Sequence, residues 1–123
     1  MARTRAFHTS RGSGTTGWLL QRVSGLVLVV LVILHYFLMH VDPDRGHTFK
    51  SVYEAFTHPV WGPWFKTLDL TMLALGLWHG LNGTWNVIRD FKLPPIWHVV
   101  LLGVLVIGGV AFGVLGVATI MAF

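Results

Sequence analysis

Seven histidines against five acidic residues is an unusual balance for a chain that is 54% hydrophobic and 11% charged. An imidazole can stay neutral in a low dielectric and still hold a metal through a ring nitrogen, which a carboxylate or an ammonium cannot easily do. The richest stretch is HGLNGTWNVIRDF, residues 79–91. At 100° per residue, His79, Asn82, Gly83, Asn86 and Asp90 fall within an arc of about 100°, so one helix face is polar and locally small. Within lipid such a face must turn toward a bundle interior. The glycine one turn from the histidine leaves room for a flat cofactor to approach the backbone. Spacing alone leaves two readings of His79 open: an axial ligand to haem iron, or a packing histidine hydrogen-bonded to a neighbouring helix. Asn82 and Asn86 suit interhelical hydrogen bonds.

Upstream, His35 lies about 20 Å beyond Arg22 along a helix and about 220° around from it, on the face of Ser24. His40 returns to the face of Arg22, so His35 and His40 point about 140° apart. One can line a cofactor pocket while the other meets a neighbour, lipid or the outer interface, and His40 sits where an interfacial role is expected. Arg22 stands at a membrane boundary, where its guanidinium can pair with a haem propionate, hydrogen-bond a quinone carbonyl, or snorkel to water. Asp90 falls at the same boundary on the His79 face, within reach of a charge pair with Arg22. His98 lies near that end too, while His8, His47 and His58 sit in polar segments and read as solvated.

These groups need long apolar elements to hold them. Val23–Val41 and Leu70–Ile88 carry no Asp, Glu, Lys or Arg, and each spans about 28 Å as a helix, close to the roughly 30 Å of a bilayer core. Leu93–Phe123 is a third uncharged run, long enough to tilt or protrude. The expectation is therefore an all-α membrane protein with three transmembrane helices, within residues 18–41, 64–91 and 96–123. Residues 1–17 form an arm without a periodic apolar face. The outer loop, 42–63, carries Phe49, Val52, Tyr53 and Phe56 at helical spacing before Pro59, the pattern of a short amphipathic helix on the membrane surface. Pro94 and Pro95 end an inner turn at 92–95. Trp18, Trp61, Trp64 and Trp97 fall near the boundaries, as belt tryptophans do.

With 123 residues there is room for one small domain, and the low charge argues against an ordinary soluble enzyme. The absence of cysteine removes disulfides, thiolate catalysis and cysteine-ligated clusters from what this chain can supply. The formal charge of +4 is a topology signal before it is a nucleic-acid one. Arg3, Arg5, Arg11 and Arg22 precede the first run, and Arg89 and Lys92 follow the second. The start of the first run and the end of the second are therefore expected on the cytoplasmic side. The segment from Asp42 to Asp69 is expected outside, as is the end of the third helix. The first run is too long for a signal-peptide core and lacks a small-x-small cleavage site, so it is expected to remain. Gly109 and Gly113 sit at small-xxx-small spacing, which signals close helix packing.

Together QRVSGLVLVVLVILH, YEAFTHPVW and HGLNGTWNVIRDF resemble the small membrane-anchor subunits of succinate dehydrogenase (succinate:quinone oxidoreductase), most closely the D-type anchor. The resemblance covers roughly residues 18–91; the third helix matches only in hydrophobicity and position. It implies half of a two-subunit anchor bundle that binds b-type haem between the subunits and docks an iron–sulfur subunit and a flavoprotein subunit on the cytoplasmic face. By position His79 is similar to the family's second-helix haem ligand, and His35 to the first-helix ligand of members holding two haems. Asp90 falls at the inner quinone position, with Arg22 and Ser24 nearby on the first helix. A tyrosine often follows that aspartate, and here Phe91 stands instead, which removes a phenol donor.

The functional expectation is thus an anchor in a bacterial cytoplasmic membrane that passes electrons from a succinate-oxidising head to membrane quinone, ubiquinone or menaquinone. Each iron then needs a second axial ligand from the partner anchor. Three alternatives stay open at this stage: the C-type anchor of the same complex, a haem-free structural or assembly protein, and a self-contained di-haem or quinol-oxidising cytochrome.

Overall fold

The computed structural model describes residues 14–40 and 48–123. Arg3, Arg5, His8, Arg11, Asp42, Asp44, Arg45 and His47 lie outside the described residues. Among the described residues four helices follow one another: α1 (Thr15–His40), α2 (Phe49–Thr57), α3 (Gly62–Asp90) and α4 (Pro95–Met121).

Local chemistry sets the ends of the shorter elements. Thr48 caps α2 in a reciprocal box: its hydroxyl accepts from the Ser51 backbone N–H at 3.3 Å, and the Ser51 hydroxyl accepts from the Thr48 N–H at 3.2 Å. The helix stops at His58, in extended conformation before Pro59. His58 Nδ1 then accepts from the backbone N–H groups of Val60 and Trp61, both at 3.2 Å, and so satisfies donors at the entrance to α3. Gly62 is required there, because a Cβ would collide with the Phe56 carbonyl. At the other end of α3, Phe91 adopts extended conformation and Pro95 opens α4, where the missing N–H costs nothing.

The element at the centre is α3, which packs on α1, α2 and α4. Against α4 the contact is a ladder. Leu73, Leu77 and Leu81 of α3 meet Gly116, Gly113 and Gly109 of α4, where added Cβ atoms would come within 2.7, 3.3 and 2.5 Å of the leucine methyls. The small residues let the helices approach and seat the leucines. At the α2 end, Ala55, Phe56 and Phe65 are buried, with Met39, Ile120 and Phe123 packed around them. The outward faces are apolar and open: Val99, Ile107 and Phe112 of α4 are 68%, 72% and 70% exposed. So extensive a greasy surface is at home in lipid or against a partner.

The expectation of three transmembrane helices is corrected. Among the described residues there are four helices, and two of them, α1 and α4, are long and apolar enough to cross a membrane. The longest helix, α3, does not qualify. Counting only charged residues made Leu70–Ile88 look apolar, but His79, Asn82, Asn86 and interspersed Gly, Thr and Trp dilute its leucines, while Lys66, Asp69, Arg89 and Asp90 flank them. The broader expectation of an all-α membrane protein agrees with what is observed.

Candidate functional site

Among the described residues two polar clusters bridge α1 and α3, and each contains a histidine. In the first, Gln21, Ser24 and Gly25 form a stripe at helical spacing on α1, facing a stripe of His79, Asn82 and Gly83 on α3. Ser24, 6% exposed, is the buried polar residue of the described chain. Its hydroxyl lies 3.0 Å from the Gln21 carbonyl and 2.9 Å from His79 Nδ1. A carbonyl oxygen only accepts, so when the single hydroxyl proton goes to Gln21, Ser24 accepts from the imidazole, and the His79 proton then sits on Nδ1 with a lone pair on Nε2; the role of Nδ1 follows that tautomer.

Gln21 ties the stripes together. Its Nε2 donates to the His79 carbonyl at 3.0 Å, and its Oε1 accepts from Asn82 Nδ2 at 2.6 Å. Two glycines allow the approach: a Cβ on Gly25 would lie 3.0 Å from His79 Cε1, and one on Gly83 would lie 2.9 Å from Gln21 Nε2. Each helix thus offers a gap to a side chain of the other, and no buried side-chain polar atom among the described residues lacks a partner.

The second contact joins His35 to Asp69. His35 Nδ1 lies 2.8 Å from Asp69 Oδ1, with side chains 29% and 18% exposed. A carboxylate accepts, so here too the imidazole donates from Nδ1. Ser24 with His79, Gln21 with Asn82, and His35 with Asp69 share one antiparallel register, and the two histidine contacts stand roughly 15 Å apart along α3. Beside His35 and Asp69 is a cavity of about 480 Å³, walled also by Met39, Thr48, Phe56 and Phe123. His40 borders it, with its ring 6.4 Å from that of His35 and stacked on Tyr36 at 5.1 Å.

The other candidates stand apart from these contacts. Arg22 is exposed and lies over the Trp18 ring, its guanidinium carbon 3.7 Å from the centroid. Asp90 is exposed at the end of α3, and no ion pair joins it to Arg22 among the described residues. His98 meets Trp85 edge-on at 6.3 Å, across the α3 and α4 seam. No group of three or more His, Asp or Glu among the described residues is arranged to hold a metal ion.

Sequence reasoning missed two participants. Gln21 stood in the quoted motif without a role, although it sits one turn before Ser24 on the same face. Asp69 was counted among the charges of an outer segment, whereas α3 begins early enough to carry it to the level of His35.

Residues 1–117 match the succinate dehydrogenase/fumarate reductase transmembrane subunit family. The chain belongs to that family. It is similar to the succinate dehydrogenase hydrophobic membrane anchor subunit of Archaeoglobus fulgidus, with 27% identity over 73 residues. That match covers 59% of this chain and 59% of the relative. Membership in this family of transmembrane subunits, with α1 and α4 able to cross a bilayer, makes the chain a membrane protein.

Proposed function

We propose that this chain is the membrane-anchor subunit of a succinate:quinone oxidoreductase, that it holds b-type haem through His79 and through His35, and that Asp90 and Arg22 serve a quinone site. The observation that carries the reading is the proton count at Ser24: with its hydroxyl committed to the Gln21 carbonyl, His79 keeps a lone pair on Nε2. That is the donor a haem iron takes, and an orienting hydrogen bond at the other ring nitrogen is the usual companion of a metal-bound histidine. The gap at Gly25 seats the ring edge, since a Cβ there would lie 3.0 Å from His79 Cε1. Bound haem would supply a one-electron carrier between the succinate-oxidising head and quinone.

The chain's own part is positional. His79 and His35 are too far apart along the bundle to share one iron, which supports a second anchor subunit giving the other axial ligands. The open apolar faces of α1 and α4 offer that subunit and lipid a surface. Succinate oxidation needs flavin and iron–sulfur centres, which a cysteine-free chain leaves to a flavoprotein subunit and an iron–sulfur subunit. The positive-inside rule puts Arg22, Arg89, Asp90 and Lys92 on the cytoplasmic side of a bacterial cytoplasmic membrane, where those subunits dock.

Ser24 remains with Asp90 and Arg22 as a quinone-site candidate, and its buried hydroxyl also lies 2.9 Å from His79 Nδ1, which would bring the two sites close together. Stacking on Trp18 uses the face of the Arg22 guanidinium and leaves its N–H edge to reach a quinone carbonyl.

The test is a reduced-minus-oxidised spectrum of the purified complex with an inventory of its subunits. A b-type band together with a second small anchor supports the reading; a fully assembled complex without any b-type band makes the chain a haem-free brace. Asp90→Asn is expected to slow quinone reduction while haem content stays, and unchanged quinone kinetics would remove Asp90 from the site.

A further inference from the structure

We infer that Asp69 is a positioning residue for His35, fixing the imidazole as its Nδ1–H tautomer so that the Nε2 lone pair is presented to a metal centre. The inference rests on the reading of His35 as a haem ligand. The Asp69 side chain is 18% exposed and borders a cavity together with Phe49 and Phe56 of α2, and His35 Nδ1 lies 2.8 Å from its carboxylate oxygen.

A mere tie between α1 and α3 needs no charge. Ser24, Gln21 and Asn82 make such ties with neutral groups about 15 Å away on the same seam. What a carboxylate adds is electron donation through the ring, which raises the basicity of the far nitrogen. The surroundings suit that use. The pair borders a cavity of about 480 Å³ where α1, α2, α3 and α4 converge, walled by both apolar and polar side chains. The Asp69 side chain therefore acts through His35 and has no need to touch a cofactor.

The experiment uses the intact complex with Asp69→Asn, Asp69→Ala and His35→Ala, read by haem content, redox titration of each haem, and haem transfer to excess apomyoglobin. In Asp69→Asn the amide oxygen still accepts the Nδ1 proton. Haem content is then expected to stay, while the midpoint potential of the His35 haem rises with the lost negative charge. In Asp69→Ala transfer of that haem is expected to run about 10- to 100-fold faster, with the His79 haem unchanged in both variants. Potentials and transfer rates equal to the parent complex would overturn the inference, and Asp69→Asn decides alone if Asp69→Ala fails to assemble. If His35→Ala keeps every haem and every potential, the ligand reading of His35 falls and the role of Asp69 with it. If His35→Ala loses a haem while the Asp69 variants match the parent, only the role of Asp69 falls.

Discussion

On the proposed reading, the two histidines that bridge α1 and α3 share the Nδ1–H tautomer by different means. His79 gives its Nδ1 proton to a buried hydroxyl, Ser24, whose own proton is already spent on a backbone carbonyl. His35 gives its proton to a carboxylate, Asp69, close to the end of α1 and beside a cavity. The contrast follows from depth. Where two glycine-lined helices press together and little water can enter, a neutral acceptor avoids the desolvation penalty of an ion. Nearer the helix ends, a partly exposed carboxylate is affordable and pulls harder on the ring proton. Proteins can thus present equivalent imidazole lone pairs at two levels of a bundle while tuning them separately.

The sharpest way to break this contrast is to remove one ring. His79→Ala is expected to abolish the haem signal of its site or prevent assembly, whereas His40→Ala should keep both; a normal haem spectrum in the His79 variant would end the assignment. Next in size is Gly25→Val, which drives a branched side chain into a ring already 3.0 Å from where a Cβ would be. Overpacking of this kind costs about 1–3 kcal/mol. It should lower haem occupancy at His79 and spare the His35 side, as resolved by redox titration.

Ser24→Ala keeps the helix spacing and removes only the acceptor. The orphaned Nδ1–H costs about 1–3 kcal/mol, and haem loss to apomyoglobin is expected to accelerate about 10- to 100-fold. If loss from the parent and the variant proceeds at the same rate, the hydroxyl does not orient the ring. The smallest effect belongs to Gln21→Ala and Asn82→Ala. Interhelical polar contacts in lipid average about 0.6 kcal/mol, so thermal stability should dip slightly with haem spectra unchanged. A spectral change as large as that of Ser24→Ala would mean that the whole stripe, and not Ser24 alone, sets the ring.

Periodicity put His79, Asn82 and Gly83 on one face before the fold was known, but it placed Ser24 only on the face of His35 and near the quinone position, not against His79. What periodicity cannot give is the register between two helices. That register makes Gln21 the hub and sets Asp69 against His35, and neither pairing follows from a single helix. The count of apolar crossings failed for a related reason. Absence of charge was equated with apolarity, while α3 gathers uncharged polar groups that it satisfies on α1. Arg22 and Asp90 share a boundary in sequence, yet stacking on Trp18 gave the guanidinium a nearer partner.

The leucine ladder between α3 and α4 has a mechanical corollary. Leu73, Leu77 and Leu81 each drop into a notch left by a glycine, one helical turn after the next. A slide of α4 by a single residue would bring Val110, Val114 and Val117 to the leucines in one direction, and Phe112 and Leu115 to two of them in the other, so the seam behaves like a cut key, admitting one depth of insertion and resisting piston motion along its axis.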